Sequence, residues 1–126
     1  MPKLTKLELR IMEILWEHGA LPVREVKEHL PASKRAAYTT VQTVMYRLEG
    51  KKALRRSGKM GNAHVFAPTI TRVSAYKRLI DEFFTLLGGK AQPVMAHLID
   101  SGKLTLDDVQ EAEARLRQLR RKAQGK

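Results

Sequence analysis

Six polar residues lie close together between Thr39 and Arg47, and none of them is acidic. Their hydroxyl, amide and guanidinium groups form hydrogen bonds with phosphate oxygens and with the edges of nucleic-acid bases, and a threonine methyl can contact the methyl of thymine. The alternative is an ordinary solvated helix face, although such faces usually mix Glu with Lys. This segment is therefore suited to recognition of a polyanion. The six residues are Thr39, Thr40, Gln42, Thr43, Tyr46 and Arg47.

Basic side chains flank this segment on both sides. Lys34 and Arg35 precede it, and Arg55, Arg56 and Lys59 follow it. The whole chain has 24 basic and 13 acidic side chains, a net charge of +11 that favours a polyanionic partner. Each cation alone is as consistent with a solubilising surface charge, but their clustering predicts contacts with a phosphate backbone. Residues 1–70 hold 13 basic and 6 acidic side chains against 11 and 7 in the remainder, so we expect the nucleic-acid contact in the first part.

Residue patterns typical of catalysis are weak. The chain has no cysteine, and His18, His29, His64 and His97 lack the spacing of a zinc site. The pair Asp107-Asp108 is typical of a helix start rather than of an acid/base pair. We therefore expect a protein that is not an enzyme and that uses no metal or cofactor.

Three helices are predicted to position the polar segment. Thr5 and Glu8 form a capping-box pattern that opens a helix running to about His18, and Pro22 begins a short second helix that ends before Pro31. A third helix is predicted from about Ala37 to Lys51. Its inward stripe is Val41, Val44, Met45 and Leu48, which leaves the six polar residues on or beside the opposite face.

A hairpin is predicted after the third helix. Leu54–Ser57 and Ala63–Ala67 have the pattern of strands, and the glycines of the segment Gly58–Asn62 permit a reversal between them. The fold class expected is mainly α with a small β-hairpin, in which residues 1–70 form a winged helix-turn-helix DNA-binding domain.

Residues 71–126 are predicted to form a lobe of three helices. Thr71, Pro93 and Thr105 mark the helix starts, while Gly88-Gly89 and Gly102 end the first two helices. The three predicted helices contain many apolar residues for so short a segment, which favours a homodimer built from this lobe. The alternative is that these helices fold back on their own winged domain. The predicted dimerisation residues are Tyr76, Leu79, Ile80, Phe83, Phe84, Leu87, Val94, Met95, Leu98, Val109, Leu116 and Leu119.

The chain start lacks the apolar stretch of a signal peptide, and no apolar run is long enough to span a bilayer. The absence of cysteine also suits a reducing compartment. We expect a cytoplasmic protein without membrane insertion.

Several segments resemble the BlaI/MecI penicillinase-repressor family. They are Leu4–Glu8, Ile11–Trp16, Val23–Val26 and above all Ala37–Leu48, with its Tyr-Thr-Thr-Val and Arg-Leu motifs. The Phe83-Phe84 and Gly88-Gly89 step and the Lys103-Leu104-Thr105 helix entry add to the resemblance.

The resemblance implies a dimeric winged-helix repressor on inverted-repeat operators with TACA/TGTA half-sites, controlling resistance or stress genes. It implies DNA contacts at Thr40, Gln42, Thr43 and Arg47, and at the basic residues of the predicted hairpin, which is the wing of the domain. It also implies a membrane sensor-transducer protease as partner. Here the chain has His97-Leu98 where the family's scissile pair is Asn-Phe, and it lacks the C-terminal cysteines that copper-responsive relatives use as metal ligands.

The function expected from the sequence is a sequence-specific DNA-binding repressor that acts as a homodimer. A nonspecific architectural DNA-binding protein would use the same charges without reading bases. A module that binds RNA or another protein is a third alternative.

Overall fold

The computed structural model describes residues 3–32 and 36–125. They form two compact units, of which the first ends at Glu82 and the second begins at Phe83. Within the described ranges, no helix is both long and apolar enough to span a membrane.

The first helix, α1 (Lys6–His18), begins at the capping box predicted from the sequence. The Thr5 hydroxyl accepts a hydrogen bond from the Glu8 amide at 3.3 Å, and the Glu8 carboxylate accepts one from the Thr5 amide at 2.8 Å. Gly19 ends the helix with a φ of 85°, a conformation that glycine adopts without the strain imposed by a Cβ. Both predicted ends of α1 are therefore confirmed.

The next two helices are α2 (Val23–His29) and α3 (Tyr38–Gly50). The predicted inward stripe of α3 is confirmed, because Val41, Val44, Met45 and Leu48 are all buried. The cations Lys34 and Arg35, expected to contact phosphates, lie outside the described residues.

A small antiparallel sheet completes the first unit. The hairpin strands are β2 (Leu54–Met60) and β3 (Ala63–Pro68), and a two-residue strand, β1 (Leu21–Pro22), pairs with the free edge of β3. The hairpin is longer than predicted, because ladder pairing continues across Gly58 and Lys59 to Met60 with an irregularity between Arg56 and Gly58. The strand β1 was not predicted, since two residues carry no periodicity and β3 supplies their pairing.

One apolar core holds these elements together. It joins side chains from all three helices with Ala53, Leu54 and Phe66 from the hairpin region. Full burial of a large apolar side chain contributes roughly 1.5–3 kcal/mol, which makes this cluster the main source of stability. Three helices followed by a hairpin on a shared core form a winged helix-turn-helix domain, as the sequence predicts.

Three helices follow the hairpin: α4 (Arg72–Leu86), α5 (Gln92–Asp100) and α6 (Leu106–Gln124). The helix starts predicted at Thr71 and Thr105 are confirmed. Thr71 accepts a hydrogen bond from the Ser74 amide at 3.1 Å, and Thr105 forms a capping box with Asp108. The backbone hydrogen bond from Thr105 lowers the pKa of Asp108 below its ordinary value.

The first turns of α4 belong to the first compact unit and pack against its other elements. Ala75 is buried, and the ring of Tyr76 meets that of Trp16 edge to face at 6.5 Å. Packing therefore divides the chain about twelve residues after the predicted boundary near residue 70. The predicted functional division, with DNA binding in 1–70 and dimerisation in 71–126, stays a prediction.

Candidate nucleic-acid interface

Burial of one face of α3 in the apolar core determines which of its side chains are exposed to solvent. Because Val41, Val44, Met45 and Leu48 are buried, residues about half a helical turn away project outward. The side chains predicted to make DNA contacts follow this rule. Those of Thr39, Thr40, Thr43, Tyr46 and Arg47 are exposed, and that of Gln42 is half-buried.

Two hydrogen bonds order this open face. The Thr43 hydroxyl donates to the Thr39 carbonyl at 2.8 Å, which leaves the oxygen lone pairs and the methyl of Thr43 for a partner. The Gln42 side-chain amide donates to the Tyr46 hydroxyl at 3.2 Å. Gln42 thus keeps its carbonyl oxygen and one N–H, the pair of groups that matches the edge of adenine.

The hairpin carries its cations on two faces. Successive residues of a strand point to opposite faces, and directly paired residues share one. Arg55 pairs with Ala67, whereas Arg56 pairs with Phe66. The two adjacent arginines therefore lie on opposite faces of the wing.

Farther along the wing, Lys59 pairs with His64, and both side chains are exposed. Exposed cations near a hairpin tip can reach a phosphate backbone beside the groove that a helix occupies.

Arg56 contacts other protein groups. Its guanidinium donates to the Glu49 carboxylate at 2.9 Å and 3.3 Å and lies over the rings of Tyr46 and Phe66, 5.2 Å and 5.4 Å from their centroids. The hydrogen bond with Glu49 raises the pKa of Arg56 above its ordinary value. Arg56 therefore links the wing to α3 on the exposed side of the domain.

A cleft of about 580 Å³ lies between α3 and the wing. Polar groups of Arg24, Gln42, Asn62 and His64 line it together with aromatic rings. Sequence reasoning missed Arg24, Asn62 and His64 as parts of this surface. Arg24 comes from α2, and no local pattern indicates that tertiary packing brings it beside α3.

The histidines do not form a metal centre in the ranges that the structure describes, where no group of three or more His, Cys, Asp or Glu side chains could hold a metal ion. His18 and His29 stack face to face with ring centroids 3.9 Å apart. Their lone pairs lie in the ring planes and therefore do not converge between the rings.

The second unit presents an apolar surface. Along residues 83–125 no side chain is fully buried, and the best covered apolar ones, Phe84, Val94, Leu98, Leu104 and Val109, are only half-buried. Phe83, Leu87, Val94 and Leu98 line an open apolar cavity of about 370 Å³ together with Pro93 and His97.

Most other predicted dimerisation residues are also exposed. Ile80, Phe83, Leu87, Met95, Leu116 and Leu119 are between 38% and 66% exposed. Leu79 is half-buried. Tyr76 is engaged within the first unit, where its hydroxyl bonds to Glu13, and this contact raises the pKa of Tyr76.

A winged helix-turn-helix domain whose third helix exposes polar side chains, with no acidic residue between Thr39 and Arg47, is the architecture of a transcription regulator. A family model described as penicillinase repressor matches residues 4–118. The chain belongs to the penicillinase repressor family, and it is a transcriptional repressor rather than an enzyme.

Similar proteins agree with this assignment. The penicillinase repressor of Bacillus licheniformis is 23% identical over 111 residues, which cover 87% of this chain and 86% of that one. The transcriptional regulator BlaI of Mycobacterium tuberculosis is 34% identical over 106 residues, 79% of this chain and 76% of its own. A solution structure of the DNA binding domain of the repressor BlaI is 31% identical, has a TM-score of 0.50, and covers 56% of this chain and 85% of that chain.

Proposed function

We propose that this repressor acts as a homodimer on inverted-repeat operators, with α3 in the major groove and the wing against the phosphate backbone. The observation that carries the proposal is the division of α3, whose apolar stripe is buried while Thr39, Thr40, Thr43 and Arg47 are exposed. A helix anchored in this way presents fixed hydrogen-bonding groups to a groove.

Charge supports the choice of DNA as partner. Among the described residues, Arg47, Arg55 and Lys59 are exposed on α3 and the wing, and none of them takes part in an ion pair with a described residue. Unpaired cations attract phosphates without first losing a protein partner, so they increase affinity in a salt-dependent way.

The exposed apolar side chains of the second unit support a homodimer in which a second copy of the chain covers them. Val109, Ala112, Leu116, Leu119 and Ala123 recur in steps of three and four along α6, the spacing with which helices pair. A copy of the same chain presents the same stripe, and a two-fold dimer would place two copies of α3 on the two halves of an inverted repeat.

Induction by a membrane sensor-transducer protease remains a prediction from the family resemblance. The His97-Leu98 bond lies inside α5, and Leu98 is half-buried. A protease that cuts extended chains would need α5 to open before it could reach this bond.

The proposal is tested by competition between two duplexes of equal length. One carries a TACA/TGTA inverted repeat and the other a shuffled sequence, and promoter fragments from upstream of the gene are assayed beside them at several salt concentrations. We expect the repeat to bind at least roughly a thousandfold more tightly than the shuffled duplex. Equal affinity for both duplexes and for every promoter fragment would contradict the proposal and favour an architectural protein.

Variants separate base reading from phosphate attraction. Gln42→Ala and Arg47→Ala should each reduce discrimination between the duplexes by about 1–3 kcal/mol. Lys59→Ala should weaken binding to both equally and lower the slope of log affinity against log salt by about 1. Equal losses on both duplexes for all three variants would indicate that α3 does not read sequence.

A further inference from the structure

Arg56 is exposed on the wing, yet its guanidinium contacts three other side chains of the domain. Two of its nitrogens bond to the two oxygens of Glu49, at 2.9 Å and 3.3 Å, the bidentate geometry that guanidinium and carboxylate favour. The same guanidinium lies 5.2 Å from the ring centroid of Tyr46 and 5.4 Å from that of Phe66. These contacts use two of the five guanidinium N–H groups and hold the side chain against α3.

Two of these partners lie on α3. Tyr46 and Glu49 are three residues apart and share one side of the helix, so a single side chain from the wing contacts both. The Tyr46 ring also approaches Phe66, with 6.1 Å between centroids. Arg56 and Phe66 together restrict the positions that this ring can take.

Tyr46 in turn restricts the side chain of Gln42 through a hydrogen bond. The Gln42 amide nitrogen donates to the Tyr46 hydroxyl at 3.2 Å, which selects one orientation of the amide. A glutamine oriented before binding loses less side-chain freedom when it meets a base, and its carbonyl oxygen and remaining N–H are already placed.

We infer that Arg56 is a specificity-determining positioning residue, which holds Tyr46 and through it Gln42 in the orientation that reads DNA; this inference rests on the proposed function. The main role of Arg56 is then to position Tyr46, and its effect on binding should depend on the DNA sequence. Its neighbour Arg55 has the same charge and lies on the opposite face of the hairpin, which makes it a matched control.

The test compares Arg56→Ala, Arg56→Lys and Arg55→Ala on the repeat duplex and the shuffled duplex. We expect both Arg56 variants to reduce the ratio of the two affinities roughly five- to fiftyfold. Arg56→Lys keeps the charge and should bind the shuffled duplex within about twofold of the original, whereas Arg56→Ala loses a positive charge and should also bind the shuffled duplex more weakly. Lysine keeps the charge but lacks the planar fork, so it cannot restore the contacts with Glu49 and Tyr46 together. Arg55→Ala should weaken binding to both duplexes equally.

Glu49→Gln separates the effect of charge from the effect of side-chain position, because the lost charge should strengthen DNA binding while the lost contact with Arg56 should reduce discrimination between the duplexes. It removes one negative charge, so binding to the shuffled duplex should strengthen. It also weakens the hold on Arg56, so the ratio of the two affinities should fall by roughly the same factor as for Arg56→Ala. A ratio unchanged in Glu49→Gln, or an Arg56→Lys variant that binds like the original chain, would overturn the inference.

A measurement without DNA separates this inference from the proposed function. The Gln42 side-chain amide signals in the NMR spectrum of the free protein should shift in both Arg56 variants and stay in place in Arg55→Ala. If the original chain does not discriminate between the duplexes, the proposed function fails whatever the spectra show. If it does discriminate and the Gln42 signals do not respond to Arg56, only the positioning role fails. Thermal unfolding of each variant verifies that the domain remains folded.

Discussion

The ammonium group of Lys51 lies 2.7 Å from a carboxylate oxygen of Glu8, and the two residues are 43 positions apart in the chain. Glu8 is fully buried, and the same carboxylate accepts the Thr5 amide at the start of α1. Burial by itself would raise the pKa of Glu8, but hydrogen bonds from Lys51 and Thr5 and the charge of Lys51 lower it below its ordinary value of 4.5. One side chain therefore caps α1 and ties it to the end of α3.

We predict that Glu8→Gln lowers the free energy of unfolding by about 1–3 kcal/mol near neutral pH, because the amide oxygen can still accept hydrogen bonds but has no negative charge to pair with the Lys51 ammonium group. A pKa that is lower in the folded state contributes stability above the unfolded value, and this contribution is lost as the pH falls through the folded one. The difference between variant and original should therefore shrink below about pH 4.5.

Chemical unfolding at a series of pH values measures both effects. Glu17→Gln removes the same charge from an exposed position on α1 and should change stability by less than about 0.5 kcal/mol. A constant difference between Glu8→Gln and the original chain from pH 7 to pH 3 would show that the charge pair does not stabilise the fold.

The end of α3 has a strained residue. Lys52 has a φ of 63°, where an L side chain crowds the backbone. The amides of Lys52 and Ala53 bond to the carbonyls of Glu49 and Leu48, which is the Schellman arrangement that usually has glycine at this position. Lys52→Gly should therefore stabilise the domain by up to about 1 kcal/mol, measured by thermal unfolding.

The exposed helical control Lys77→Gly should instead destabilise the domain by about 1 kcal/mol. A Lys52→Gly variant that unfolds at lower temperature than the original would contradict this account.

Trp16 joins α1 to the start of α4. Its indole nitrogen donates to the Ile70 carbonyl at 2.9 Å, and its ring contacts Tyr76 edge to face. Trp16→Phe keeps an aromatic ring but leaves this carbonyl without its donor, and should cost about 1–2 kcal/mol. Circular dichroism is the suitable measurement because Trp16 is the only tryptophan. The control Tyr38→Phe, at an exposed tyrosine, should be within about 0.5 kcal/mol of the original, and an equal loss in both variants would count against a specific role for the indole.

Local features of the fold could be predicted from the sequence because their causes are local. The capping boxes at Thr5 and Thr105 use residues three positions apart, and the buried stripe of α3 follows from helical spacing alone. The exposed polar face of α3 then follows as the other side of that stripe.

Features that depend on distant residues could not be predicted in this way. The strand β1 exists because β3 pairs with it, and nothing in a two-residue segment indicates that partner. The same holds within the candidate interface. The sequence assigns Arg55 and Arg56 one role. Strand alternation alone puts the two side chains on opposite faces, but only tertiary packing determines that Arg56 is the one against Glu49 and Tyr46.

The last prediction concerns the apolar surface of α6. Leu116 and Leu119 are 66% and 58% exposed and lie about one helical turn apart. If a second copy covers them, Leu116→Glu places a charge in an apolar interface and should convert the dimer to monomer at micromolar concentration, because an unpaired charge is costly to bury. Gln118→Glu adds the same charge about 160° around the helix and should leave the dimer intact.

Analytical ultracentrifugation of the two variants measures the mass, and binding to the repeat duplex measures the consequence. The Leu116→Glu monomer should bind the full repeat no more tightly than a single half-site, because it has lost the advantage of two linked contacts. Its winged unit should remain folded, since Leu116 belongs to the second compact unit. A Leu116→Glu chain that stays dimeric, or an original chain that is monomeric while it binds the repeat tightly, would show that this face of α6 does not hold two copies together.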